Sequence, residues 1–243
     1  MTIDVCFSPT LYPRYHNADA VAVITDVFRA TSTIAAALGN GARSIVPVAS
    51  TDEAKDYKSK GWLVGAERNV QRCAFADFGN SPFDYTAKKV AGRDIVFTTT
   101  NGTKAIHSAA NAYCIFTGAF TNLAAVAAAC RRERRDVVVL CSGWEDKINV
   151  EDTLFGGALA EMLLDAGYTA VGDSANIALT LWKTAKNDLR AVLERTEHYQ
   201  RLKINGLLRD FEYCISLNQS DIVPFYDAER GCLRADSAIQ TVF

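Results

Sequence analysis

Short apolar, β-branched runs that end in a polar cluster, which then opens a helix, recur along this chain of 243 residues and restrict its fold more than any other feature. The clearest case is Asp94 to Lys104, DIVFTTTNGTK. The same event occurs at VAVITDVFRATST (Val21 to Thr33), WLVGAER (Trp62 to Arg68), YCIFTGAFTN (Tyr113 to Asn122) and DVVVLCSGWED (Asp136 to Asp146). Strand-like runs alternating with helices up to about Gly167 predict an α/β fold. It is expected to be a three-layer α/β/α arrangement with a mainly parallel or mixed sheet and a helical C-terminal part. In open α/β sheets small molecules bind outside the carboxyl ends of the strands, where helix starts offer free backbone N–H groups. The repeated polar clusters therefore predict a rim suited to an anionic ligand.

Helix starts are marked in the sequence. Ser50-Thr51-Asp52-Glu53 has capping-box spacing, Ser81-Pro82 places an N-cap before a proline, and Thr121 or Asn122 opens the apolar helix LAAVAAAC. After Gly172 the texture changes. Ser174 to Thr196, Glu197 to Ile204 and Leu207 to Leu217 read as successive helices, followed by an irregular tail from Ser220 to Phe243. The five prolines lie far apart and no linker interrupts the chain. Residues 1–243 are thus expected to form a single α/β catalytic domain, with 174–243 as a helical cover and irregular tail. The apolar helices of that cover leave a homo-oligomer open.

The 26 basic and 28 acidic residues are intermixed and give a net charge of −2, which is not the electrostatic footprint of a nucleic-acid or anionic-membrane binder. The basic run RRERR at Arg131 to Arg135 reads as a solvated cap on the carbonyl end of the preceding helix. Seven cysteines form an odd set without a CxxC pair, and several sit in apolar runs, which predicts a reducing, cytoplasmic location. No stretch reaches about 18 uninterrupted apolar residues, so neither export nor membrane insertion is expected.

Familiar phosphate and metal signatures fail. Gly39-Asn40-Gly41 lacks the third glycine of a dinucleotide fingerprint, and Gly102-Thr103-Lys104 lacks the lysine placement of a Walker loop. The three histidines have no metal-ligand spacing to one another. Cys141 is followed at the sixth position by Lys147 rather than arginine, and Asp26-Val27-Phe28-Arg29 lacks a second aspartate. What remains is a rim. Asp26 and Arg29 follow a strand, with Thr31, Ser32 and Thr33 at the next helix start. Glu67-Arg68 repeats the acid-plus-arginine theme, and Thr98 to Thr103 offer hydroxyls, an amide and a glycine. Glu151 and Asp152 admit two readings: they fill the first turn of a helix, or they face the crevice and join Asp26 or Glu67 in holding Mg²⁺.

Several strings together resemble the 2-phosphosulfolactate phosphatase family: DVFRATSTIAAALGNGA, GAER, DFGNSP at Asp77 to Pro82, TTTNGT, FTN, and CSG followed by EDTLFGGALAE. The resemblance runs from about Ile3 to Gly172. It implies an α/β/α hydrolase that uses Mg²⁺ to remove phosphate from 2-phospho-3-sulfolactate, giving sulfolactate on a route to coenzyme M. Carried onto this chain, it implies Asp26, Arg29, Glu67 and Arg68 as catalytic residues and Asp26, Glu67 and Asp152 as metal ligands. Thr31, Ser32, Asn80, Ser81, Thr99, Thr100, Asn101, Gly102, Thr103 and Asn122 are implied at the small anionic phosphorylated substrate, with water as nucleophile. Two departures bear on substrate selection: Phe75-Ala76 stands where the family has glycine and phenylalanine, and Trp144 to Lys147 replaces a less charged loop. A noncatalytic binder of a phosphorylated or sulfonated acid, or a transferase with a second substrate, would use the same rim.

Overall fold

The computed structural model describes residues 1–99, 101–145 and 147–236. Its strands are β1 (Thr2–Cys6), β2 (Val21–Thr25), β3 (Ser44–Pro47), β4 (Leu63–Arg68), β5 (Gln71–Arg72), β6 (Asp94–Thr98), β7 (Cys114–Gly118), β8 (Val137–Cys141), β9 (Thr169–Ala170), β10 (Pro224–Asp227) and β11 (Cys232–Ala235). The helices are α1 (Ala30–Gly39), α2 (Thr51–Ser59), α3 (Ala87–Val90), α4 (Gly102–Ser108), α5 (Leu123–Glu133), α6 (Val150–Leu164), α7 (Gly172–Ala185), α8 (Leu189–Leu193), α9 (Glu197–Ile204) and α10 (Leu208–Ile215). Among the described residues one sheet forms, in the order β5-β4-β6-β3-β11-β10-β7-β2-β8-β1-β9. It contains two parallel blocks, β4-β6-β3 and β7-β2-β8-β1-β9, as the alternation of strands and helices predicts.

The blocks are joined by a device that sequence reading places nowhere. Residues expected to form an irregular tail instead make the antiparallel hairpin β10–β11, which pairs with β7 through Phe225 and Phe116 and with β3 through Leu233 and Ile45. Its strands span only four residues each, too short for a periodic signal, and the turn closes at Gly231 with φ +65°.

Alternation along the strands sorts the core into layers. Ala22, Ile24, Ile115, Val138 and Leu140 from one block and Ile45, Ile95 and Phe97 from the other share a single inner cluster with Ile34 and Leu38 of α1. Their neighbours point to the opposite face. There Val21, Val23, Val137 and Val139 meet α5, α6 and α7, while Val64, Ala66 and Val96 meet Ala54 of α2. Helices therefore cover both faces of the sheet. Helix α1, ATSTIAAALG, is buried from Ala30 to Leu38 on every side, as expected of a helix with no charged face. It touches strands β3, β7, β10 and β11.

Six strand spacings separate β4 from β2, about 29 Å across a flat sheet. Yet Arg29, just after β2, donates to the carbonyl of Val70, just after β4, at 2.8 Å. The sheet must curl around α1 to allow this, and the curl brings the carboxyl ends of the two parallel blocks together.

Ser50 caps α2, its Oγ accepting the Glu53 N–H at 3.1 Å, but the reciprocal half of the expected capping box is displaced by one residue, with Glu53 Oε2 accepting the Ala49 N–H at 3.2 Å. Ser81 does not cap: its hydroxyl donates to Asp210 instead, and only a short 3-10 turn, Pro82–Asp84, follows. No helix among the described residues is long and apolar enough to cross a membrane.

Leu233 is fully buried where the hairpin bridges the blocks. Leu233→Ala is expected to lower unfolding free energy by about 2–5 kcal/mol in denaturant titration, as for a core leucine. A loss below about 1 kcal/mol would mark the hairpin as peripheral.

Candidate active site

Asp26 is the first residue past β2, and its backbone is tied down from several directions. Thr31 Oγ accepts the Asp26 N–H at 3.1 Å and donates to the Asp26 carbonyl at 3.0 Å; Ser32 Oγ donates to the Val27 carbonyl at 2.9 Å. Thr33 Oγ reaches the Asn80 carbonyl at 2.7 Å. Asp152, in the first turn of α6, accepts the N–H groups of Val27 at 2.9 Å and Gly143 at 3.1 Å, one on each carboxyl oxygen. That carboxyl joins the loop after β2 to the loop after β8. Gly143 has φ +62°, and a Cβ there would stand 2.4 Å from the Lys147 carbonyl oxygen, so only glycine fits this corner.

Glu67, the next-to-last residue of β4, accepts the N–H of Val70 at 2.5 Å. Asn69 and Val70 both have positive φ, +54° and +61°, closing a two-residue hairpin to β5. A β-branched residue in that region is strained by about 1–3 kcal/mol. Glu67 and Arg29, which hold the Val70 N–H and carbonyl, fix the turn. Arg29 is buried and pairs with Asp210 of α10 at 2.5 Å.

Asp26, Phe28, Glu67, Asn80, Thr99, Asn101, Gly143, Trp144 and His198 line one small cavity. It offers about 10 Å³, room for about one water. His198, on α9, is only 4% exposed; its Nδ1 lies 2.6 Å from Oε1 of Glu151, itself 1% exposed. Nδ1–H donating to that carboxylate leaves Nε2 as the free ring position. Nε2 and the Asn80 side-chain oxygen are buried and have no hydrogen-bond partner among the described residues. Two orphaned polar atoms facing one cavity are the signature of a site completed by what it binds. Gly102 preserves the room: a Cβ there would stand 2.9 Å from Asp26 Oδ2 and 2.8 Å from Ala30 Cβ.

Burial drives the electrostatics. It raises the Asp26 carboxyl to about 6, with His198 pulling it down and Glu67 and Glu151 pushing it further up. Glu67 is likewise raised by burial, against the Val70 N–H and the charges of Arg29 and Arg68. Asp152 is held well above the usual carboxylate range, by burial first and then by Glu151 and Asp26. Positive charge arriving in the cavity would relieve all three.

The sequence profile of 2-phosphosulpholactate phosphatase matches residues 6–229. The chain belongs to this family. Similar proteins are each named probable 2-phosphosulfolactate phosphatase. That of Carboxydothermus hydrogenoformans is 37% identical over 241 residues, covering 98% of both chains. That of Gloeobacter violaceus is 39% identical over 229 residues, 92% of this chain and 94% of the relative. That of Caldanaerobacter subterraneus subsp. tengcongensis is 35% identical over 206 residues, 83% and 86% respectively.

Of the residues singled out from the 2-phosphosulfolactate phosphatase motifs, Asp26, Glu67, Asn80, Thr99 and Asn101 come together in the cavity. The others lie elsewhere or are engaged in scaffolding. Thr31 and Ser32 bind backbone, Ser81 and Arg29 bind Asp210, and both oxygens of Asp152 bind backbone. Arg68 donates to the Glu67 carbonyl at 2.6 Å and to Thr98 Oγ at 3.2 Å. Gly102 N–H donates to Thr99 Oγ, and Thr103 Oγ to the Thr99 carbonyl, so both serve the start of α4. Asn122 is remote: its side chain accepts the Ala119 N–H and donates to the Ile222 carbonyl. Thr100 lies outside the described residues. His198 has no counterpart among the sequence-derived site residues; Glu151, read as either a first-turn acid or a crevice acid, holds its ring, and Trp144 of the loop tied to substrate selection lines the cavity beside it. A lone histidine in a C-terminal helix carries no spacing signal, and only the tertiary fold brings it to a glutamate 47 residues away.

The raised Asp26 carboxyl has a stability consequence. Relative to 3.8 in the unfolded chain, a folded value of about 6 means no penalty below pH 4, a growing one between, and the full penalty above pH 6. In chelator-treated protein, Asp26→Asn is expected to stabilise the fold by on the order of 2–3 kcal/mol at pH 7.5 and by little at pH 4. Thermal unfolding at the two pH values checks this; equal shifts at both would contradict the desolvated carboxyl.

Proposed function

We propose that this protein is a phosphoric monoester hydrolase that converts 2-phospho-3-sulfolactate, or a related phosphorylated hydroxy acid, to sulfolactate and phosphate with the aid of Mg²⁺, in a coenzyme M biosynthesis-type role. Family membership supports the substrate class. The observation that carries the reading is the convergence of Asp26, Glu67, Asn80 and the Glu151-held His198 on one buried cavity.

The donor set suits Mg²⁺ in one way only. Among the described residues no group of three or more His, Cys, Asp or Glu side chains is disposed to hold a metal ion. Mg²⁺, however, is commonly bound through one or two carboxylates, with waters and substrate phosphate oxygens filling the rest. Asp26 and Glu67 fit that pattern, and their burial-raised carboxyls are groups that a cation would stabilise in charged form. Asp152 supports them by fixing both flanking loops. When bound, Mg²⁺ would neutralise phosphoryl oxygens and orient the substrate.

The chain's own residues do the rest. With Nδ1–H given to Glu151, His198 Nε2 is placed to accept a proton from the attacking water as its oxygen closes on phosphorus. The phosphorus–ester oxygen bond breaks, and the leaving alkoxide takes a proton from a water molecule, to which His198 Nε2 returns the proton it accepted, giving the hydroxyl of the product. Thr99 and Asn101 line the cavity from the start of α4 and bring polar groups to the phosphoryl oxygens. The buried walls of the cavity screen these contacts less than open water would, which strengthens each of them.

Phosphate release from a panel of phosphorylated hydroxy acids, with Mg²⁺ or with chelator, tests the reading. Release is expected only with the metal, and His198→Gln is expected to lower kcat/KM by about 10²–10⁴-fold, the scale of a lost proton-transfer group. Tight binding of the same acids without release would instead indicate a noncatalytic binder.

A further inference from the structure

A second, larger pocket of about 350 Å³ lies beside the carboxylate cavity, and Trp144, Lys147, Glu151, Arg195, His198 and Arg201 are among its lining residues. Trp144 and His198 line both spaces, so the two adjoin across these side chains. Their charges are opposite in character. The inner cavity is walled by Asp26 and Glu67, the outer by Lys147, Arg195 and Arg201.

We propose that this outer pocket is the subsite for a second strongly acidic group of the substrate, a sulfonate under the phosphatase reading on which the inference rests. Arg201 lies over the Trp144 ring, with its guanidinium carbon 4.3 Å from the ring centre, and its Nε is buried without a hydrogen-bond partner among the described residues. Its ion pair with Glu197 is long, 3.8 Å, and the Glu197 side chain is 94% exposed, so the pair holds little of the arginine's charge. Glu151, the other acid in the wall, is already paired with His198. A guanidinium fork and an ammonium suit an anionic group with several oxygens.

The charge separation also sets orientation. The sulfonate is repelled by Asp26 and Glu67 and drawn to the outer wall, which leaves the phosphoryl end at the inner one.

The experiment compares kcat/KM for 2-phosphosulfolactate and for 2-phospholactate, which lacks the sulfonate, in wild type, Lys147→Ala and Arg201→Gln. Both variants are expected to lower kcat/KM about tenfold or more for the sulfonated substrate, the loss of one charge-assisted contact. The value for 2-phospholactate is expected to stay within about threefold. Parallel losses for both substrates, or no loss for either, would overturn the subsite. If wild type hydrolyses neither compound, the phosphatase reading fails, and calorimetric titration with sulfolactate decides the subsite separately. Weaker binding to Lys147→Ala, whose exposed position leaves folding intact, then supports it, and equal or undetectable binding to both proteins overturns it.

Discussion

Burying carboxylates is the constraint around which this molecule is arranged. Asp26, Glu67, Glu151 and Asp152 are all at least nine-tenths buried at one end of the sheet, where each charge loses most of its hydration. The fold answers each differently. Asp152 receives two backbone N–H groups, Glu67 receives one, and Glu151 receives a histidine ring. Asp26 faces the cavity with its carboxyl raised to about 6. An acid kept at such cost, with room beside it for a ligand, points to chemistry rather than to packing.

The cluster depends on the curl of the sheet. Glu67 and Asp26 belong to parallel blocks that a flat sheet would hold far apart, and α1, small-sided and buried all round, is the core about which the blocks close. The hairpin β10–β11 fills the gap between them, so the last strands of the described chain complete the frame for its first ones. Arg29 then spans the closed gap, bound to Val70 on one side and Asp210 on the other. An arginine that reads in sequence as a phosphate ligand acts here as a brace.

What the sequence makes legible follows from range. Parallel strands, the helix cap at Ser50 and the position of Asp26, Glu67, Thr99 and Asn101 at strand ends all rest on local pattern, and local pattern is readable. The family motifs add Asn80 in the same way. His198 was out of reach because its partner Glu151 and its neighbour Trp144 are distant in sequence and carry no motif with it. The β10–β11 hairpin is not legible because four-residue strands show no period. Local pattern puts Thr31, Ser32 and Arg29 next to a strand end, but which way a hydroxyl or guanidinium turns is decided by tertiary partners: the Asp26 and Val27 carbonyls, and Asp210 from a helix about 180 residues on.

The most direct test of the central claim is a crystal structure of the protein soaked with Mg²⁺ and sulfolactate. The expected result is a cation bound by Asp26 and Glu67, with an anion oxygen or water within hydrogen-bonding reach of His198 Nε2. A cation held elsewhere, with Asp26 and Glu67 free of it and His198 facing protein alone, would contradict the assignment of this cavity as the active site.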